Sequence, residues 1–134
     1  MLHIDGPHSW EYTREVAAAF AEAVRVLNHA TLFTDSAGLA YPSDVYHVLG
    51  LLADGVDRLP QLLQQLSRFL AAEHKAGRLG EDPDGPHHAD AAAAVADVGR
   101  HLALAGISAR ALAGALRLSR AAAVGLHQTD GSDR

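Results

Sequence analysis

Apolar residues recur at intervals of three and four along three segments of the chain, which is the period of an amphipathic α-helix. In the middle segment the intervals alternate 4, 3, 4, 3, 4, 3, 4 without a miss, as in the heptad seam of a coiled coil. This seam consists of Val45, Leu49, Leu52, Val56, Leu59, Leu63, Leu66 and Leu70. The pattern predicts one long helix over about residues 42–76, with the seam as its buried edge.

Two helix-breaking residues interrupt the long apolar patterns. Pro60 removes a backbone hydrogen bond and normally kinks or ends a helix. Because the seam keeps its phase through Pro60, we expect a kink there. The same alternation continues through Gly106 and predicts a second long helix over about residues 87–126. A break at Pro60 or at Gly106 would give four helices instead. The apolar positions of this last helix are Ala91, Val95, Val98, Leu102, Ala105, Ala109, Leu112, Leu116, Ser119, Ala123 and Leu126.

A shorter helix is predicted near the start of the chain, over about residues 9–30. Ser9 is a favourable N-cap for it. Its apolar stripe comprises Tyr12, Val16, Phe20, Ala23, Val24 and Leu27. The turn formers Thr34, Asp35, Ser36 and Gly38 follow this helix, and Pro42 suits the start of the next one.

The remaining segments separate or end the helices. Residues 77–86 form a polar linker rich in Gly and Pro, and residues 127–134 form a frayed polar tail. We therefore predict a single all-α domain over residues 1–134, an antiparallel bundle of one shorter helix and two long helices. The long helices outrun the shorter one, so some apolar seam needs cover from the 31–41 loop or from another subunit. This predicts a homo-oligomer, most simply a homodimer.

Composition narrows the class of protein. The absence of Cys excludes disulfides, thiolate metal sites and a Cys nucleophile. No uninterrupted apolar run approaches the roughly 18 residues of a membrane span, so we expect a cytoplasmic protein without a membrane partner. The formal net charge of -5 disfavours attraction to nucleic acid.

The chain offers little for catalysis. No Ser lies in a nucleophile-elbow context, and the pairs Glu11 with Glu15 and Asp54 with Asp57 are typical of solvated helix faces. We therefore predict that the protein is not an enzyme, with no catalytic residues and no cofactor.

Nine His residues raise the question of a metal site. In an antiparallel bundle, one end would gather several of them with nearby carboxylates, and imidazole suits Zn, Ni or Cu. Their spacing matches no known metal motif, so metal binding is only an alternative hypothesis. The candidate ligands are His8, His74, His87 and His88, with His3, Asp5, Glu73 and Asp90 nearby.

Residues 102–120 suggest a second alternative, a DNA-binding helix-turn-helix. The sequence Gly106-Ile107-Ser108 resembles the turn of that motif, and the following segment carries three arginines for phosphate contacts. Three observations disfavour DNA binding. The heptad phase continues through Gly106, the expected recognition segment consists mostly of Ala and Leu, and the net charge is negative. The candidate contacts are Arg110, Arg117 and Arg120.

Three stretches carry a resemblance to a protein group. AVRVLNHATL (23–32), YPSDVYHVLGLL (41–52) and RLPQLLQQLSRFL (58–70) resemble small all-helical proteins of actinomycetes, some of them encoded with plasmid or integrative-element genes. The resemblance implies an actinobacterial origin and an accessory role in element maintenance or transfer. It brings no catalytic or binding residues.

The preferred hypothesis from sequence is a non-enzymatic helical interaction or assembly protein. We expect it to self-associate through leftover apolar seam and to bind a further protein partner.

Overall fold

The computed structural model describes residues 2–6, 8–32 and 38–129. Within these ranges the chain forms three α-helices and no strand: α1 (Trp10–Ala30), α2 (Pro42–Lys75) and α3 (Ala91–Ala123). The all-α class is confirmed, and both α2 and α3 continue through their breakers, so the four-helix variant does not occur. The predicted turn residues Thr34, Asp35 and Ser36 and the tail residues 130–134 lie outside the described ranges.

Side-chain caps set the helix starts. Ser9 Oγ accepts a hydrogen bond from the backbone N–H of Tyr12 at 3.1 Å, as predicted for α1. The start of α3 at Ala91, rather than about residue 87, corrects the sequence prediction. His88 and Ala89 have positive φ angles of 52° and 71°, which an α-helix does not contain. Asp90 then caps α3 by accepting from the N–H of Ala93 at 3.0 Å.

The helices α2 and α3 form an antiparallel hairpin whose contact line is built from small residues. Ala53 and Ala113 are only 1% exposed, and Gly106 and Ala109 are also buried. Small side chains allow the two backbones to approach closely. The hairpin therefore has a thin, tightly packed contact line and no large buried side chain.

The two helix breakers meet across this contact line. A Cβ added at Gly106 would lie 3.8 Å from Cβ of Pro60, in van der Waals contact, so the two residues face each other with room for a methyl group but little more. Further along, Gly99 approaches Ser67 in the same way. Pro60 and Gly106 are thus matched packing partners of two unbroken helices.

The leucine seam of α2 lies beside the contact line. We expected this seam to be the buried edge of the helix, but Leu52 and Leu66 are 37% and 47% exposed, and Leu59 and Leu63 are half-buried. The contact line instead runs through Ala53, one residue away from Leu52. The larger side chains cannot occupy the centre because the two backbones are too close there.

One helix meets the length and composition of a membrane span. The most apolar 18-residue stretch of α3 has a mean hydropathy of 1.3 and is 17% buried. The core helix of a water-soluble bundle can have the same composition, but such a helix is mostly buried, which this stretch is not within the single chain. The helix α3 also contains charged residues, and one of them, Arg117, forms an ion pair with Asp57 of α2.

Candidate interaction surface

Both apolar seams lie on the same side of the hairpin. On α2, Val56 follows the contact residue Ala53 by three positions and Asp57 follows it by four, so they flank the contact line on opposite sides. On α3, Leu116 and Arg117 flank Ala113 in the same way. Because the helices are antiparallel and Asp57 pairs with Arg117, the apolar flanks must share the other side.

We call this apolar side the leucine face. It contains the whole α2 seam together with large apolar residues of α3 that lie on the matching flank. Most of these side chains are half-buried, while Leu112 is 51% exposed and Val98 is 38% exposed. The contributing α3 residues are the larger Val95, Val98, Leu112 and Leu116 and the smaller Ala105.

The first helix has an apolar stripe that is also uncovered. Phe20 is 62% exposed, and Val24 and Leu27 are more than one-third exposed. Among the described residues, α1 contacts neither α2 nor α3. The stripe was predicted to face a core, and within one protomer it faces none. We call Val16, Phe20, Ala23, Val24 and Leu27 the α1 stripe.

The total surface is far larger than a compact chain would have. The protomer exposes 10570 Å², whereas a compact monomer of 14.1 kDa exposes about 6,700 Å². Single exposed apolar residues are common, but contiguous exposed apolar surface marks sites of interaction. The leucine face and the α1 stripe are two such contiguous apolar surfaces.

The opposite side of the hairpin carries an open groove of about 950 Å³. The contact-line residues Pro60 and Gly106 form part of its lining. The groove is mixed in character, because the apolar residues Leu102 and Ile107 line it as well and Ile107 is 60% exposed. The polar residues of its rim are Asp57, Gln61, Gln64, Gln65, Arg68 and Arg110.

The three arginines of the DNA-binding alternative lie along the α2–α3 hairpin. Arg117 pairs with Asp57 and approaches Asp54 at 4.0 Å, and its guanidinium lowers the pKa of Asp57. Arg120 stacks over the ring of Tyr46, 4.2 Å from its centroid. Arg110 lines the polar groove.

The predicted turn of that alternative is not formed. Residues 91–123 are one helix, so Gly106-Ile107-Ser108 is helical and no separate recognition helix follows it. The heptad phase through Gly106 had favoured this outcome, since a turn would have shifted the phase. The helix-turn-helix interpretation of residues 102–120 is therefore wrong in its geometry.

The candidate metal ligands do not assemble among the described residues, which contain no group of three or more His, Asp or Glu able to hold a metal ion. Two of the ligands considered, His3 and His8, precede α1. Because α1 does not pack on the hairpin, the expected meeting of helix ends does not form. Neither His74 nor His88 joins His87 in such a group.

His87 instead joins two carboxylates. Its Nδ1 lies 3.0 Å from Glu81 Oε2, and its Nε2 lies 3.1 Å from Asp97 Oδ2. Glu81 also accepts hydrogen bonds from the backbone N–H groups of His87 and Ala89. This cluster fixes the connection between α2 and α3 against the first turns of α3.

The charges of this cluster favour protonated His87. Partial burial lowers the pKa of His87, but the hydrogen bonds to Asp97 and Glu81 outweigh it and the pKa is raised overall. The hydrogen bond with His87 lowers the pKa of Asp97, as do the charges of Arg100 and His101. An ionised carboxylate only accepts hydrogen bonds, so two such partners require both ring nitrogens to carry protons.

Comparisons with protein-family models, with curated proteins and with solved structures return no match to this chain.

The sequence predicts the residues of the leucine face correctly as apolar, but it places them at the buried edge between the helices, whereas they lie beside the contact line. It identified the seams of α2 and α3 and expected them to be buried by each other. The Ala content of the last segment already favours close packing of helices, but the particular small residues Ala53, Gly99, Gly106 and Ala113, which mark where the two backbones approach, were not singled out.

Proposed function

We propose that this protein is a non-enzymatic helical assembly protein that self-associates through the leucine face. The observation that carries the proposal is the leucine face, a continuous apolar surface beside the contact line on which most side chains are only half-buried and Leu112, Leu66 and Val98 are exposed. Burying apolar surface contributes about 25 cal/mol per Å², so covering such a face is strongly favourable.

The area involved fits an obligate association. The protomer exposes about 3,900 Å² more than a compact chain of its mass (10570 against about 6,700 Å²). For two protomers the excess is about 7,800 Å², which is more than enough area for an obligate homodimer. Such dimers bury about 2,000–5,000 Å² counted over both chains and have more apolar interfaces than transient complexes. A second copy offers an apolar surface of the same kind, and closed two-fold dimers are the commonest homo-oligomers.

The opposite side then remains available to a further protein. It carries the ion pair between Asp57 and Arg117 and a groove that combines glutamines with the exposed apolar Ile107. We propose this side as the surface for that partner, while the leucine face is used in self-association.

A matched pair of Leu→Gln variants on α3 tests the proposal. Leu112 belongs to the leucine face, whereas Leu118 is 75% exposed on the outside of the same helix. We expect Leu112→Gln to raise the dimer dissociation constant by at least about tenfold, and Leu118→Gln to leave it near the wild-type value. Sedimentation equilibrium measures both constants, and circular dichroism checks that helix content is kept.

Equal effects of the two substitutions would contradict the proposal, because they would show that the leucine face is no more involved than the outer surface of α3. A parallel comparison on α2 uses Leu66→Gln on the leucine face and Leu51→Gln outside it.

A further inference from the structure

The first helix, α1, is amphipathic, but its apolar side packs on no other helix among the described residues. In proteins most helical stability comes from packing an amphipathic face rather than from intrinsic propensity. The charged residues of α1 lie opposite the α1 stripe, so the helix has a complete polar side and an uncovered apolar side. These charged residues are Glu11, Arg14, Glu15, Glu22 and Arg25.

The connection to α2 is fixed close to both helix ends. A Cβ added at Gly38 would clash with the carbonyl oxygen of Ala30, so Gly38 lies directly against the end of α1. Asp44 Oδ2 accepts hydrogen bonds from the N–H groups of Ala40 and Tyr41, both at 2.8 Å. Among the described residues, α1 contacts neither helix of its own hairpin.

We infer that the α1 stripe of one copy packs on the leucine face of a second copy, and that the exchange is reciprocal. This inference rests on the proposed self-association and specifies which helix covers the face. A face-to-face pairing of two hairpins would leave both α1 stripes in water. Reciprocal exchange covers the leucine face and the α1 stripe at the same time.

Length and charge agree with this occupant. At 1.5 Å per residue, α1 with 21 residues is about 31 Å long, and the α2 seam from Val45 to Leu70 is about 38 Å long. One α1 therefore covers most of one leucine face. The polar side of α1 mixes acidic and basic residues, whereas helices that lie on anionic membranes are rich in Lys and Arg there.

The Cys-free chain allows a direct test by cross-linking. An untagged full-length chain with Ala23→Cys in the α1 stripe is mixed with a tagged chain carrying Ala105→Cys on the leucine face. The mixture is unfolded, refolded together and treated with a short bismaleimide. We expect a covalent product containing one tagged and one untagged chain. The control replaces Ala23→Cys by Ala18→Cys on the polar side of α1, and we expect that product to be lost.

Three outcomes would overturn the inference. A cross-link within one chain of the doubly substituted protein at high dilution would show that α1 packs on its own hairpin. Predominant linkage between two Ala105→Cys chains would show face-to-face pairing of hairpins. Absence of the mixed product in a sample that sediments as a dimer would exclude α1 from the interface.

The outcomes also separate this inference from the proposed function. Face-to-face linkage, or a dimer without the mixed product, leaves self-association intact and removes only the role of α1. A wild-type protein that sediments as a monomer removes both.

Discussion

His87 shows how one side chain can organise a connection between two helices. It lies between Glu81 of the α2–α3 connection and Asp97 of α3, and the same glutamate binds backbone N–H groups of the connection. The sequence marked His87 as a metal candidate because imidazole and nearby carboxylates suggest ligands. The distances show instead a hydrogen-bonded and ionic cluster, which depends on a folded connection that no spacing rule describes.

The cluster predicts a pH dependence of stability. The pKa of His87 is raised in the folded protein above its ordinary value of 6.5. A group with a raised folded pKa binds protons more tightly when folded, so its contribution is complete below about pH 6.5 and is lost as the pH rises through the folded pKa. We expect the His87-dependent part of the free energy of unfolding to fall from about pH 6.5 upward. Urea unfolding of wild type and of His87→Gln across this range measures it.

The control for this prediction is His74→Gln at the end of α2. His74 forms no ion pair within the described residues, so this variant should keep the wild-type pH dependence. If His87→Gln and wild type show the same pH dependence, the cluster does not act as described.

At the scale of the elements, the pairing of α2 with α3 follows from small residues rather than from leucines. Ala53 and Ala113 are almost completely buried, and Gly106 faces Pro60. Sequence periodicity predicted both long helices and their continuity, because an unbroken apolar phase is hard to maintain across a turn. It could not predict that Pro60 and Gly106 meet, since that depends on the register between two distant segments.

A substitution at Gly106 tests the contact line. Gly106→Leu would push a large side chain toward Pro60, and overpacking of this kind costs about 1–3 kcal/mol of unfolding free energy. Gly114 lies in the same helix with no neighbour within 4 Å of an added Cβ. We expect Gly114→Leu to be neutral or stabilising by up to about 1 kcal/mol, because Leu favours helix more than Gly does.

Chemical denaturation at one fixed protein concentration compares the two variants, since association changes the apparent stability. Equal stability of Gly106→Leu and Gly114→Leu would show that the helices do not approach closely at Gly106.

At the scale of the whole molecule, a single chain leaves a large apolar surface uncovered. The sequence indicated that two long helices outrun a shorter one and that some seam would be left over. The structure leaves more apolar surface uncovered than this, because among the described residues α1 contacts neither long helix and the leucine face is only half-buried. Apolar periodicity predicts which side of each helix is apolar. It does not predict how α1 is placed relative to the hairpin, and that placement decides which apolar surfaces stay uncovered.

Sedimentation velocity of the untagged wild-type protein tests self-association most directly, over a wide micromolar range and with and without a generic DNA duplex. The account predicts a species of twice the 14.1 kDa chain mass that persists on dilution and is unchanged by DNA. A monomer at all concentrations would contradict it and would mean that the leucine face is not a self-association surface. A monomer that sediments with the DNA would instead favour nucleic acid as the partner.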